Sequence, residues 1–159
     1  MDNPLLDFSG LPRFAAIRAE HVAPAIDPLL EAGRACVERL AVDDRAPTWD
    51  NFIEPLDDAN ERLARAWSHV GHLNAVVSTP ALRDAYNTML PKVTQYFTEQ
   101  GQDQRLHARL RALRESGGFA ALTPARSYKP GGVAGEAAAV ANASGATGAE
   151  SCGAGESDP

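Results

Sequence analysis

Residues 48–77 read TWDNFIEPLDDANERLARAWSHVGHLNAVV, and this stretch decides the fold. Its apolar side chains recur at intervals of three and four residues, the period of one face of an α-helix. Thr48 is a residue type that caps helix N-termini, and Pro55 lies late in the first turns, so we expect the regular helix to begin just after Pro55. The stripe that we expect to face a core comprises Phe52, Leu56, Ala59, Leu63, Trp67, Val70 and Val77.

Three further segments have the same helical period. The first covers about 20–40, where Pro28 predicts a kink or a short break. The second covers about 79–100, with a kink at Pro91, and the third covers about 102–115. Because no segment alternates with a period of two, we predict an all-α fold of antiparallel helical hairpins that resembles a bundle. The expected core residues are Val22, Ile26, Leu29, Leu30, Val37, Leu40, Leu82, Tyr86, Met89, Val93, Phe97, Leu106, Leu110 and Leu113.

Two residues interrupt these apolar faces. Gly33 lies between Leu29 and Val37, adds no side chain to the core and costs the helix about 1 kcal/mol relative to Ala. Asn74 places an amide within the stripe of the second helix. Both residues weaken the helix prediction locally.

The composition changes near residue 125. From Arg126 to Pro159, 34 residues include nine Ala and seven Gly, and none is Leu, Ile, Phe, Met or Trp. Such a segment buries too little apolar area to offset the entropy cost of ordering its backbone. The sequence therefore predicts an extended N-terminal segment (1–17), a helical region (18–124) and a disordered Ala/Gly-rich tail (125–159).

The charge balance argues against two classes of partner. The chain contains 15 Lys and Arg and 21 Asp and Glu, which gives a net charge of −6. We therefore expect no nucleic-acid partner and no membrane partner. Cys36 and Cys152 can form at most one disulfide, which is typical of a reducing compartment. The N-terminus carries no basic and apolar leader pattern, so we expect a cytoplasmic protein.

His69 and His72 are the candidates for zinc ligands. They are spaced i, i+3 and therefore share a helix face, where two imidazoles can form half of a zinc site. The sequence near them supplies no third and fourth ligand, although a carboxylate from another helix could do so. We expect one histidine to pack in the core and the other to lie at the surface, with no metal bound.

Carboxylates cluster around 43–44 and along 54–61, where they could serve as acids, bases or cation ligands. Glu61 and Arg65 are spaced i, i+4, however, and Asp58 and Arg62 have the same spacing. Such pairs are typical of a solvated helix face. The carboxylates concerned are Asp43, Asp44, Glu54, Asp57, Asp58 and Glu61.

The remaining chemical motifs are absent or out of context. Cys36 lies among apolar helix residues, and Cys152 has no base beside it, so we expect no thiol nucleophile. The glycine pairs at 117–118 and 131–132 lack the strand and helix of a phosphate loop. No H-E-x-x-H string occurs, because the four histidines are followed by Val, Val, Leu and Ala. We therefore predict no catalytic residue and no cofactor-binding residue.

Nine short strings occur along the chain in a definite order. They are NPLL (3–6), LP (11–12), EHVAPA (20–25), VER (37–39), TW (48–49), PL (55–56), HLN (72–74), LRDAY (82–86) and LP (90–91). In this order and spacing, over about 120 residues, they resemble the opening of the thimet-oligopeptidase family of zinc metallopeptidases, in particular its oligopeptidase A branch.

The resemblance implies a function for a longer protein. Members of the family are largely helical, run to several hundred residues, and enclose a channel that admits short peptides. Their zinc is held by an H-E-x-x-H helix and a later glutamate, and the H-E-x-x-H glutamate activates the metal-bound water. Those residues lie beyond the resembling region, so none is carried over. The resemblance implies that this chain forms one wall of the channel and is inactive alone. It also implies that the C-terminal part of the enzyme is a partner of this chain.

Beyond about Thr123 the resemblance ends, because the family continues with a charged amphipathic helix and this chain does not. We hypothesise that a frameshift or an equivalent truncation of the gene, with the tail translated out of frame, produced that change. Two alternatives stay open: a free-standing helical interaction module, and a metal-binding domain that uses His69 and His72.

Overall fold

The computed structural model describes residues 3–117, and four α-helices form most of this range. They are α1 (Val22–Ala41), α2 (Glu54–Val76), α3 (Pro80–Gln102) and α4 (Gln104–Glu115). Helix α1 packs against each of the other three, and α2 also packs against α3. No strand occurs within 3–117, which confirms the all-α prediction. The tail predicted for 125–159 lies outside the described residues.

The segment before α1 contains single 3-10 turns at Pro4–Leu6, Phe14–Ala16 and Ala19–His21. The beginning of this segment packs against the helices, because the Leu5 side chain lies in the core and is only 1% exposed. The Asn3 side chain also donates a hydrogen bond to the carbonyl of His21, at 2.9 Å. This contact holds the N-terminal segment against the beginning of α1.

The predicted N-caps at Thr48 and Thr79 are confirmed, whereas the regular helix α2 begins at Glu54 and not just after Pro55. Thr48 Oγ1 accepts from the Asn51 backbone N–H at 3.1 Å, and Asn51 Oδ1 accepts from the Thr48 N–H at 2.8 Å. One π-helical turn, Trp49–Ile53, follows this reciprocal cap and leads into α2. At the start of α3, Thr79 Oγ1 accepts from the Leu82 N–H at 3.3 Å.

Of the kink or short break predicted at Pro28, the break does not occur. Helix α1 runs through Pro28, and α3 likewise runs through Pro91. Each proline leaves the carbonyl four residues earlier without its helical donor. Those carbonyls belong to Pro24 and Asn87, both exposed residues, so water can hydrogen-bond to them and the helices continue.

The buried side chains form two clusters that share α1. The larger lies between α1, α2 and α3, and in it Trp67 stacks on Tyr86 with ring centroids 4.7 Å apart. The smaller joins the end of α1 to the π-helical turn and α4. Val77 does not extend the α2 stripe as predicted, because α2 ends at Val76 and the Val77 side chain is 56% exposed.

A polar network crosses the larger cluster and was not predicted. Tyr96 on α3 donates its hydroxyl proton to Asn60 Oδ1 on α2, with the two oxygens 2.9 Å apart. Gln100 donates to the same Asn60 oxygen at 3.1 Å and accepts from Asn60 Nδ2 at 3.0 Å. Burial raises the pKa of Tyr96 to about 12, so its hydroxyl is protonated at neutral pH. The network therefore fixes α2 and α3 in one register.

Gly33 allows this network to form. A Cβ atom at position 33 would lie 2.6 Å from the Tyr96 hydroxyl oxygen and 2.8 Å from its ring carbon Cζ. Those separations are shorter than van der Waals contact, so only glycine lets α1 approach Tyr96 this closely. Gly33 weakened the helix prediction from the sequence, yet the packing of α1 against Tyr96 requires it.

We expect Gly33→Ala to destabilise the fold by about 1–3 kcal/mol, because Tyr96 must move away from Asn60 or α1 must shift. Gly71→Ala is the matched control: it also lies within a helix, but its Cβ would be 3.9 Å from Tyr86, an ordinary contact. The control should gain up to about 1 kcal/mol from helix propensity. Urea unfolding followed by circular dichroism measures both, and equal effects of the two substitutions would contradict this role of Gly33.

Candidate functional site

The two candidate metal ligands lie side by side on α2 and share one neighbour. The ring of Phe14, from the N-terminal segment, is 5.4 Å from the His69 ring and 5.2 Å from the His72 ring. The His69 contact is edge-on, with an interplanar angle of 79°. The face where further ligands would have to approach is thus partly covered by an apolar ring.

No third ligand accompanies the pair in the described part of the chain. Within residues 3–117 no group of three or more His, Cys, Asp or Glu side chains is arranged to hold a metal ion. A zinc site needs three or four such donors around one point. The geometry of His69 and His72 is therefore that of two imidazoles packed on Phe14.

Burial lowers the pKa of His69 from its ordinary value of 6.5, and the nearby positive charge of Arg65 and the His72 imidazole lower it further. The neutral imidazole is thus favoured in the folded chain. Since this is also the form that binds metals, the pKa of His69 by itself does not separate a packing role from a ligand role.

Asp43, which follows the end of α1, is hydrogen-bonded to Arg45. The side chain of Arg45 donates to Asp43 at 2.7 and 3.0 Å, and its backbone N–H donates to the same carboxylate at 3.0 Å. These hydrogen bonds hold the pKa of Asp43 well below its usual range. From α4, Arg109 donates to the backbone carbonyls of Asp43 and Arg45 and lies over the Phe52 ring. Asp43 is therefore a permanently ionised turn residue, unsuited to proton transfer near neutral pH.

The carboxylates at the start of α2 behave largely as predicted. Glu61 and Arg65 form the expected i, i+4 ion pair, with nitrogen and oxygen 3.8 Å apart. The pair expected between Asp58 and Arg62 is absent from the described contacts, and the Arg62 guanidinium lies 5.3 Å above the centre of the Phe8 ring instead. This half of α2 is a solvated, charged surface.

Comparison with known sequences identifies the four-helix unit. The family profile described as "Neurolysin/Thimet oligopeptidase, N-terminal domain" matches residues 26–128, more than half of the chain. The chain belongs to this family. The predicted resemblance is thereby confirmed.

Several curated proteins are similar to this oligopeptidase-family chain. Oligopeptidase A of Haemophilus influenzae is 44% identical over 120 residues, which are 76% of this chain and 18% of that protein. Oligopeptidase A of Escherichia coli is 40% identical over 126 residues, 79% of this chain and 18% of that protein. The probable cytosolic oligopeptidase A of Arabidopsis thaliana is 36% identical over 126 residues. The chain thus spans about a fifth of the length of the relatives that it matches.

Of the remaining candidates from the sequence, Cys36 lies among the described residues of the oligopeptidase domain, where it contacts other side chains. Cys36 is half-buried, packs against the smaller core cluster and donates its thiol proton to the Pro55 carbonyl at 3.4 Å. Cys152 and the glycines at 131–132 lie outside the described residues. None of the helices in 3–117 is long and apolar enough to cross a bilayer.

The sequence analysis did not predict the polar residues that are hydrogen-bonded inside the oligopeptidase domain. Asn60, Tyr96 and Gln100 form its buried network, yet none belongs to a chemical motif. A signal was present: Asn60 is four residues after Leu56 and three before Leu63, so it occupies the inner face of α2. A polar residue at such a position requires buried hydrogen-bond partners.

We expect the His69 imidazole to titrate below pH 6.5, with Phe14→Ala returning its pKa toward that value because the ring no longer covers it. Phe14→Leu, which keeps an apolar cover, should leave the pKa low. Since the folded state favours neutral His69, this contribution to stability is complete above pH 6.5 and falls as the pH drops through the folded pKa. NMR titration of the imidazole measures each variant, and an unchanged midpoint in Phe14→Ala would refute burial as the cause.

Proposed function

We propose that this chain is the N-terminal helical unit of an oligopeptidase A-type zinc metallopeptidase, a unit that forms one wall of a peptide channel and contributes no catalytic group. The family match over 26–128 carries the proposal, together with identities of 40–44% to bacterial oligopeptidases A. Short peptides are the substrates that the names of these relatives suggest for the complete enzyme.

Catalytic zinc is the cofactor that the family implies, and the residues of this chain do not fit it. The 159 residues contain no H-E-x-x-H string, and His69 and His72 pack on Phe14 without a third ligand in the described range. The role proposed for this unit is therefore one of shape: it holds an ordered helical surface beside the peptide while another part of the enzyme activates water.

The cytoplasm is the compartment that we propose. Its support is the name of one plant relative, the probable cytosolic oligopeptidase A of Arabidopsis. Another Arabidopsis relative is named as an organellar oligopeptidase A, chloroplastic or mitochondrial, so the family is not confined to one compartment.

The purified 159-residue chain should not hydrolyse a quenched fluorescent peptide of about ten residues, with or without added zinc. Calorimetric titration with zinc should likewise detect no stoichiometric binding. Oligopeptidase A of E. coli serves as the positive control, and a mock purification corrects for host peptidases. Chelator-sensitive cleavage above the mock value, or one zinc bound per chain and lost in His72→Gln, would contradict the proposal.

A second candidate, a free-standing helical interaction module, is favoured by one observation. Most large apolar side chains of residues 3–117 are enclosed in the two core clusters, as in a domain that folds alone.

The two candidates predict different behaviour of the isolated chain in solution. A unit of a larger enzyme should self-associate as its concentration rises, because a surface meant for the rest of the enzyme is exposed. A free-standing module should stay monodisperse and melt in one cooperative transition. Sedimentation velocity at several concentrations, together with thermal denaturation, separates them.

A further inference from the structure

Residues 6–16 form a surface segment that is anchored at both ends. Leu5 precedes it and Ile17 follows it, and both side chains lie in the larger core cluster, 1% and 6% exposed. Between these anchors most residues are exposed, and the Leu11 side chain is 92% exposed. A segment with few buried contacts opens at a lower free-energy cost than the core to which it is attached. We call residues 6–16 the strap.

Two phenylalanine rings join the strap to one face of α2. Phe8 lies over Arg62 and Arg65, whose guanidinium carbons are 5.3 and 5.9 Å from the centre of its ring. Phe14 packs on the histidine pair described above, two turns further along the helix. The two arginines and the two histidines follow one another at intervals of three and four residues, so they share a face of α2. The strap is therefore held by contacts with basic side chains.

The strap contains more chain than these contacts need. The two contact points are seven residues apart on α2, which corresponds to about 10 Å along the helix. Six residues lead from Phe8 to Phe14, and an extended chain of that length spans about 20 Å. Phe8 also packs against the larger core cluster, whereas Phe14 is 36% exposed. Phe14 can therefore leave α2 while Phe8 and the two anchors stay in place.

The contact of Phe14 with His69 is linked to the protonation of that imidazole. Burial is the main cause that lowers the pKa of His69, and the Phe14 ring forms part of the cover. A charged imidazole is stabilised by water, which the ring excludes. Because the linkage is reciprocal, a cover that disfavours the proton is itself disfavoured once the proton is bound.

The charges around His69 add no counter-ion for that proton. Arg65 and the His72 imidazole both lower the pKa of His69, and both lie on α2. The strap contributes Arg13 and Asp7, which form an ion pair with nitrogen and oxygen 3.2 Å apart. Among the described residues, no carboxylate of α1, α3 or α4 contributes to the shift of this pKa. Hydration is thus the means by which the protonated imidazole is stabilised, and hydration requires that the strap lift.

We propose that the strap is an acid-released cover of α2, which is closed while His69 is neutral and lifts at Phe14 when His69 is protonated. The four helices keep their packing, because Leu5 and Ile17 remain in the core. Release exposes the row of basic side chains on α2. It is a property of this unit alone and does not depend on a role in a peptidase.

Hydrogen exchange of the 159-residue chain measures the release. The Ala16 and Ile17 N–H groups report on the strap, because they donate to the carbonyls of Arg13 and Phe14, at 2.8 and 3.2 Å. Since the closed strap favours neutral His69, the closed state is fully favoured above pH 6.5 and is lost as the pH falls through the folded pKa. After correction for intrinsic exchange rates, protection of the two amides should fall about three- to tenfold between about pH 7.5 and about pH 5. The core amides of α2 and α3 should keep their protection.

Two variants and a control identify the group that titrates. His69→Gln cannot take up a proton in this range, so its strap should stay protected at both pH values. Phe14→Ala removes the cover and should leave the strap amides weakly protected at both pH values. His107→Gln is the matched control: it also replaces a helix histidine, on α4, where the ring nitrogen is 2.9 Å from the Gly101 carbonyl oxygen. The control should respond to pH as the unaltered chain does.

Three results would overturn the acid-released strap. The first is equal protection of the strap amides at both pH values in the unaltered chain. The second is a response to pH in His69→Gln or Phe14→Ala that equals that of the unaltered chain. The third is a parallel loss of protection in α2 and α3, which would show that the whole unit unfolds. Circular dichroism of each variant confirms that its helices are formed before exchange is compared.

Discussion

The described structure depends on the close approach of α1 to Tyr96 at Gly33. There the helix backbone meets the hydroxyl end of the tyrosine, where a Cβ atom would stand 2.6 Å from the oxygen. That approach keeps the hydroxyl directed at Asn60, and Gln100 completes the hydrogen bonds of the same amide. The absence of a side chain at Gly33 thus allows the close approach of α1 to α3, and the polar network sets the register of α2 and α3.

The two halves of α2 face different environments. Its first half carries charges suited to water, with Glu61 paired to Arg65 and Arg62 lying over Phe8. Its second half is uncharged yet partly exposed, and it ends in Val76 and Val77. The exposed side chains of Val76 and Val77 thus lie beyond the apolar face with which α2 packs in the core.

The candidate side chains of the described residues are held by contacts with their neighbours. His69 and His72 pack on Phe14, Asp43 is held ionised by Arg45, and the thiol of Cys36 is bonded to a backbone carbonyl. Each of these groups already has a neighbour that restrains it.

The sequence by itself determined the helices and their caps, because apolar spacing and residues such as Thr48 and Thr79 act locally. It also determined the family, through short strings that keep their order over the matched region. It could not determine the Gly33 contact or the bonding of Asn60, since both depend on residues more than thirty positions away that only packing brings together. The sequence also left open whether Pro28 kinks or breaks α1, and the structure shows that the helix continues through it.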